Sequence, residues 1–251
     1  VFISAKFGGM ISPDGRFYGI DSRPEHVKNY LAYTLKRLGT DYVDLYQPAR
    51  INPHIPVEDT IGAVADMVKA GYAKSVGISE VDGATLRRAN AVHPISLVEV
   101  RYSLMDRHIE DDILPTSREL GIGVVAFNVM LGGLVGGSAQ QQKLSAMKHL
   151  SSEALTGISN NLSATQGLEE IAREKGITLA QLAIAWVLAQ GEDIIALVGS
   201  RTVVQIADSL KAIDANLTEN DLERMEQLVP KAQANSSYML DMNLDKNGLF
   251  I

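Results

Sequence analysis

The sequence predicts a parallel α/β barrel, and three observations carry that prediction. Short apolar runs alternate with amphipathic stretches in a repeated βα rhythm, the pattern of helices laid over a parallel sheet. The length, 251 residues, falls where such a barrel runs as one domain. Glycines recur where each helix must stop, in "RLGTDY", "KAGYA", "ELGIG" and "EKGIT", as left-handed C-terminal caps.

In chain order, the apolar runs predict strands over Val1–Phe7, Tyr42–Gln47, Ala73–Ile78, Leu97–Arg101, Gly123–Phe127 and Ile194–Val198. Between them, helical spacing predicts helices over Pro24–Leu38, Val57–Ala70, Gly83–Ala91, Glu110–Leu120, Ala164–Lys175 and Val203–Ala212. An extra helix is expected over Thr178–Gln190, where Leu179, Leu182, Ala183, Trp186 and Val187 share a face and make Trp186 a core residue. No composition shift or Pro/Ser-rich linker divides the chain, so residues 1–251 are expected to form one domain. Two long connections interrupt the rhythm, Gly8–Arg23 and roughly Gly132–Leu162. Both follow strand C-termini, where barrels build their sites, and the second is either a covering lid or a plain surface insertion.

Composition narrows the function classes. The net charge of −7 with scattered Lys and Arg leaves no electrostatic footprint for nucleic acid. No apolar run is long enough for a membrane span and no signal-peptide pattern is present, so a cytoplasmic protein is expected. The chain has no Cys, which removes disulfides, thiolate nucleophiles and Cys-based zinc sites. His26, His54, His93, His108 and His149 form no ligand pair, so no metal site is expected.

Chemistry-bearing residues gather at strand ends. Lys6 closes the first apolar strand, where its ammonium either serves an electrostatic or proton-transfer role or simply reaches solvent. Ser79 and Glu80 end the third strand in "VGISEV", facing a ligand or capping the next helix. Phe127 ends the fifth strand in "VVAFNV", to stack on a planar ring or to pack in the core. The strongest signal is "LVGSRTVVQIADSL", in which a buried strand turns through Gly199 and Ser200 directly into a helix. The free N–H groups and positive dipole end of that helix make an anion site, with Arg201 as a charged clamp.

These residues sit in stretches that resemble the aldo-keto reductases. The resemblance runs through "SAKFG", "DYVDLYQPARINPHIPVEDTIGAVADMVKAGYAKSVGISEV", "VRYSLMDRHIEDDILPTSRELGIGVVAFNVMLGGLVGG", "LEEIAREKGITLAQLAIAWVLAQ" and "GSRTVVQIADSLKA", in the family's order and over nearly the whole chain. It implies a (β/α)8 TIM barrel, NADPH as cofactor and a small-molecule aldehyde or ketone as substrate, in a branch that includes pyridoxal reductases. In that family an Asp, Tyr, Lys and usually His form the catalytic tetrad, and Lys6 matches the lysine. Ser79 and Glu80 match the pair that holds the nicotinamide carboxamide, Glu99 falls where a Gln usually helps, and Phe127 falls where a Tyr usually stacks. Asn128 follows that stacking position, and Leu131 and Gly133 lie in the loop over the pyrophosphate. Gly199, Ser200 and Arg201 match the adenosine-phosphate loop, with Arg201 placed for the 2′-phosphate. Gln205, Asp208 and Ser209 continue that site, Gln205 in place of a common Arg and Ser209 in place of an Asn.

The departures bear on activity. The family's Asp and Tyr precede the Lys-bearing strand, so the resemblance implies that the first two βα units, with both residues, are absent from this chain. Pro48 or Ala49 stands where a His would orient the carbonyl, His54 lies a few residues along, and the spacing of Tyr18 gives it no support as an acid. Eight strands close a barrel, whereas six leave two unpaired edges, so the chain alone is expected to be unstable or aggregation-prone. Two other classes compete: a catalytically inactive NADP-binding module, and a different phosphate-binding barrel enzyme such as a lyase or isomerase. The second lacks a further strand-end acid or base. Nothing in the sequence encodes the oligomeric state.

Overall fold

The structure, a computed structural model, describes residues 1–130, 164–234 and 244–250. The chain divides into two compact units, one of residues 1–100, 111–124 and 241–251, the other of residues 101–110 and 125–240.

In the first unit the predicted strands appear as β1 (Ser4–Phe7), β4 (Val43–Pro48), β5 (Ala73–Ser79) and β6 (Ile95–Arg101), neighbours in that order. Their pairings are parallel, which βα crossovers impose. The crossovers are α1 (Pro24–Leu38), α2 (Val57–Lys69) and α3 (Gly83–Val92), followed by α4 (Ile113–Leu120). Each helix is written locally. Pro24 opens α1, Val27 and Leu31 bury one stripe of it, and Gly39 ends it at φ 66° with its N–H donating to the Leu35 carbonyl. Asp82 caps α3 by accepting from the Thr85 N–H at 2.7 Å. The fourth expected helix splits, a 3-10 turn at His108–Asp111 preceding α4, because Asp112 at φ −139° leaves the helical region.

The connection after β1, expected as a loop, holds a hairpin of β2 (Gly9–Ile11) and β3 (Phe17–Ile20). Its turn closes with the Ser12 N–H donating to the Arg16 carbonyl at 2.9 Å and Gly15 at φ 84°. The outer edge of β3 is satisfied by distant residues: the Ile20 N–H donates to the Gly248 carbonyl at 2.7 Å, and Gly19 bridges Leu249. Gly248, at φ 80°, has to be glycine, since a Cβ there would lie 1.8 Å from the Ile20 carbonyl oxygen.

At the entry to α1 the buried Asp21 carboxylate accepts from Arg23 Nε at 2.9 Å, Arg23 Nη2 at 3.0 Å and His26 Nδ1 at 2.6 Å. Burial pushes this carboxyl up, but the Arg23 and His26 side chains with the Arg23 N–H outweigh it and bring it down to about 2. A carboxyl depressed in the fold contributes stability that is complete above its unfolded value, near pH 4, and is lost as pH falls through about 2. The stability advantage of the native chain over Asp21→Asn is therefore expected to shrink by about 2 kcal/mol between pH 5 and pH 2. Urea unfolding of both proteins across that range measures it, and a pH-independent difference would contradict the assignment.

The second unit holds the end of β7 (Gly123–Phe127) and β8 (Ile194–Ala196), neighbours whose contact continues as the Leu197 N–H donates to the Ala126 carbonyl at 2.8 Å. Its helices are α5 (Thr165–Glu174), α6 (Leu179–Leu188), α7 (Val203–Leu210) and α8 (Glu219–Leu228). Thr178 with Gln181 and Thr218 with Asp221 form capping boxes that start α6 and α8. Trp186 of α6 is 3% exposed, as expected of a core residue. Among the described residues no helix is long and apolar enough to cross a membrane. The expected loop at 132–162 lies outside the described residues.

Candidate functional site

In the first unit, the C-terminal ends of the parallel strands carry the polar groups. Lys6 on β1 is the register partner of Gln47 on β4, and Ser79 on β5 is that of Glu99 on β6. The Lys6 ammonium meets Glu99 Oε1 at 2.5 Å, with the Glu99 side chain 8% exposed. Gln47 Nε2 donates to the other carboxylate oxygen at 2.8 Å and to Ser4 Oγ at 3.3 Å. Beside them, Arg50 Nη2 pairs with Glu80 Oε2 at 3.2 Å while Nη1 donates to Ser79 Oγ at 3.4 Å. Glu80 takes a left-handed backbone, φ 52°, and its N–H donates to the Glu99 carbonyl at 3.0 Å. Backbone strain of this kind collects at binding sites.

Four of the residues expected here, Lys6, Ser79, Glu80 and Glu99, thus lie in one polar cluster. Gln47, which the sequence did not single out, belongs to it too, together with Arg50. A usable signal was Gln47 ending an apolar strand next to the one that ends in Lys6. Ala49 and Pro48 supply no polar side chain, and the Ala49 N–H donates to the Phe7 carbonyl at 2.8 Å. His54 is held elsewhere, its Nε2 3.2 Å from the Leu244 carbonyl. Tyr18 lines a cavity of about 610 Å³ with Ile11, Arg16, Phe17 and Phe250, and Lys6 is not part of that lining. A separate cavity of about 420 Å³ is lined by Lys6, Tyr30 and Arg37. Burial and the nearby Asp21 carboxylate push the Tyr30 phenol up, so it stays protonated.

In the second unit, Phe127 ends β7 and accepts from the Tyr102 N–H at 3.2 Å, and Asn128 follows in a left-handed conformation, φ 61°. The loop Gly199–Thr202 leads into α7, where Thr202 accepts from the Gln205 N–H at 3.2 Å and the Gln205 side chain accepts from the Arg201 N–H at 2.8 Å. Gln205 therefore braces the turn that carries Arg201. The Asp208 carboxylate is engaged by Gln181 Nε2 at 2.9 Å, and Ser209 is half-buried. Leu131 and Gly133 lie outside the described residues.

These donor sets can be tested against a dinucleotide. A helix N-terminus with an exposed Arg201 and a serine at its entry matches an anionic phosphate. A carboxamide needs a donor for its carbonyl and acceptors for its NH2; the Ser79 hydroxyl can donate, and the Glu80 and Glu99 carboxylates can only accept. Both sets fit.

The family model for the aldo/keto reductase family matches residues 1–230. The chain belongs to the aldo/keto reductase family. This aldo/keto reductase chain is 35% identical over 233 residues to a probable aldo-keto reductase 1 of Glycine max, covering 91% of this chain and 66% of that protein. It is 32% identical over 240 residues to the aldo-keto reductase str7 of Strobilurus tenacellus, covering 93% and 70%. The chain thus spans about two thirds of the length of these relatives. Among solved structures, it resembles a thermostable aldo-keto reductase, Tm1743, in complex with the inhibitor epalrestat. That likeness has a TM-score of 0.67 and 31% identity, over 82% of this chain and 67% of that one. A glycerol dehydrogenase of Gluconobacter oxydans, AKR11B4, shares the fold at TM-score 0.79 and 20% identity, over 97% and 76%. The neighbours and the parallel α/β sheet fit a TIM-barrel-type fold.

Proposed function

We propose that this chain binds NADPH and serves the reduction of an aldehyde or ketone to an alcohol. The observation that carries the reading is the Arg201 loop, braced by Gln205 and Thr202 at the start of α7. Arg201 is assigned the 2′-phosphate, Ser200 and the first N–H groups of α7 its neighbouring oxygens, and Phe127 a ring face. Ser79, Glu80 and Glu99 are assigned the carboxamide, and Leu131 and Gly133 the pyrophosphate cover. When bound, the nicotinamide would supply hydride to the carbonyl carbon, and the proton that completes the alcohol would come from the family tetrad's Tyr. Lys6 contributes a fixed positive charge where the carbonyl oxygen turns negative, which favours the transition state over the ground state. Asn128 follows the ring-stacking position, and Gly199, Asp208 and Ser209 complete the adenosine end in this reading. Pyridoxal is the first carbonyl to test, given the branch that the sequence resembles, and the cytoplasm is the proposed compartment.

A second reading, an NADP-binding module without turnover, is favoured by Ala49 and Pro48 standing at the end of β4, where the tetrad's His would be. One experiment separates the two. Fluorescence titration of the chain with NADPH and NADH is expected to show tighter binding of NADPH, and an aldehyde panel that includes pyridoxal then reports consumption. Binding with consumption supports the reductase, binding alone supports the module, and no binding by the folded chain removes both.

A further inference from the structure

Lys6 and Glu99 sit on strands with two others between them. In a flat sheet three strand spacings would separate their backbones by ~14 Å, yet the ammonium and carboxylate meet at 2.5 Å. The sheet is therefore curved toward the face they share, and each side chain leans across the intervening strands. Gly77 of β5 leaves that path open: a Cβ there would lie 2.9 Å from Gln47 Oε1 and 2.9 Å from Leu45 Cδ2. Gln47 makes its own contribution at a cost. Its Oε1 is buried with no hydrogen-bond partner, while its Nε2 reaches Glu99 and Ser4. A buried amide that leaves one end unsatisfied forfeits stability, so the orientation is explained by what the other end holds.

We propose that Glu99 is a positioning residue for Lys6, and that Gln47, passing over Gly77, holds Glu99 in that role. The carboxylate that fixes the lysine is then supplied by β6 of this chain, and Glu99 serves the ammonium before it serves a carboxamide. The inference rests on the reductase reading for its use, since an ammonium fixed to within a fraction of an ångström stabilises a developing oxyanion best.

The test needs no cofactor. The full chain is acetylated with an N-hydroxysuccinimide ester at one pH, and mass spectrometry follows the rates at Lys6, at the exposed Lys28 and at Lys74, which is paired with Asp44 at 3.0 Å. A lysine released from its ion pair presents its nitrogen to the reagent. Glu99→Gln is expected to raise the Lys6 rate about tenfold relative to Lys28, and Gln47→Leu about threefold, with Lys74 unchanged. A purely structural role for Glu99 would loosen the sheet and raise Lys74 as well, which would overturn the proposal. An unchanged Lys6 rate in a folded variant would also overturn it. Should Glu99→Gln fail to fold, Gln47→Leu carries the test. Failure of the NADPH titration would remove the reductase reading while leaving the labelling result intact, so the two failures are distinguishable.

Discussion

Replacing Arg201 with alanine is expected to raise the Kd for NADPH about 10- to 100-fold while leaving that for NADH within about twofold. The size follows from a charge-assisted contact to a phosphate, worth about 1.5–3 kcal/mol, which only the phosphorylated cofactor can make. The selectivity follows from how the turn is built. Gln205 accepts from the Arg201 backbone N–H, and Thr202 caps α7, so alanine keeps the loop geometry and removes only the guanidinium. Parallel fluorescence titrations of the native chain and the variant measure both constants. An equal loss for the two cofactors would mean that Arg201 shapes the loop and does not read the 2′-phosphate.

Trp186→Ala is expected to cost about 3–5 kcal/mol of stability, the range for emptying an aromatic site in a core. The indole is 3% exposed, lies 5.4 Å from the Tyr102 ring at a tilted angle of 55°, and receives the Arg107 guanidinium 5.3 Å from its centre. Arg107 is also bonded to Glu110 at 2.7 Å and to Glu226. Removing the ring thus opens a cavity and takes away one wall of a half-buried ion-pair network. Urea unfolding should show a lower midpoint with an unchanged slope, since the surface exposed on unfolding hardly differs. A loss under about 1 kcal/mol would place the ring at a site that collapses freely.

The fold was legible wherever a local rule decides it. α1 runs from Pro24 to Leu38 and β7 from Gly123 to Phe127 as expected, because a proline start, a glycine stop and a short apolar run leave few alternatives. β6 begins two residues earlier than its apolar run suggested, at Ile95, which is buried directly after Pro94. The hairpin at residues 9–20 was not legible: its strands are short and largely exposed, and the partner of β3 lies at residues 248–249. α8 buries only Asp221 and Met225, so its apolar stripe is too thin to register, although the Thr218–Asp221 box marks its start. The site divides in the same way. Lys6 and Ser79 stand out as polar residues ending apolar strands, and Glu99, inside its strand, is reached through the family resemblance. Gln47, Arg50 and Gly77 gain their meaning from neighbours on other strands, and curvature of the sheet has no signature in one dimension.

The seam between Gly19 and residues 248–249 also orders events in time. As the chain leaves a ribosome, residues 9–20 emerge long before the backbone that completes their outer edge. Until Gly248 appears, the donor at Ile20 has only water or a wrong strand to pair with. Closing that seam ties the hairpin flanking the Lys6 strand to translation having reached residue 249.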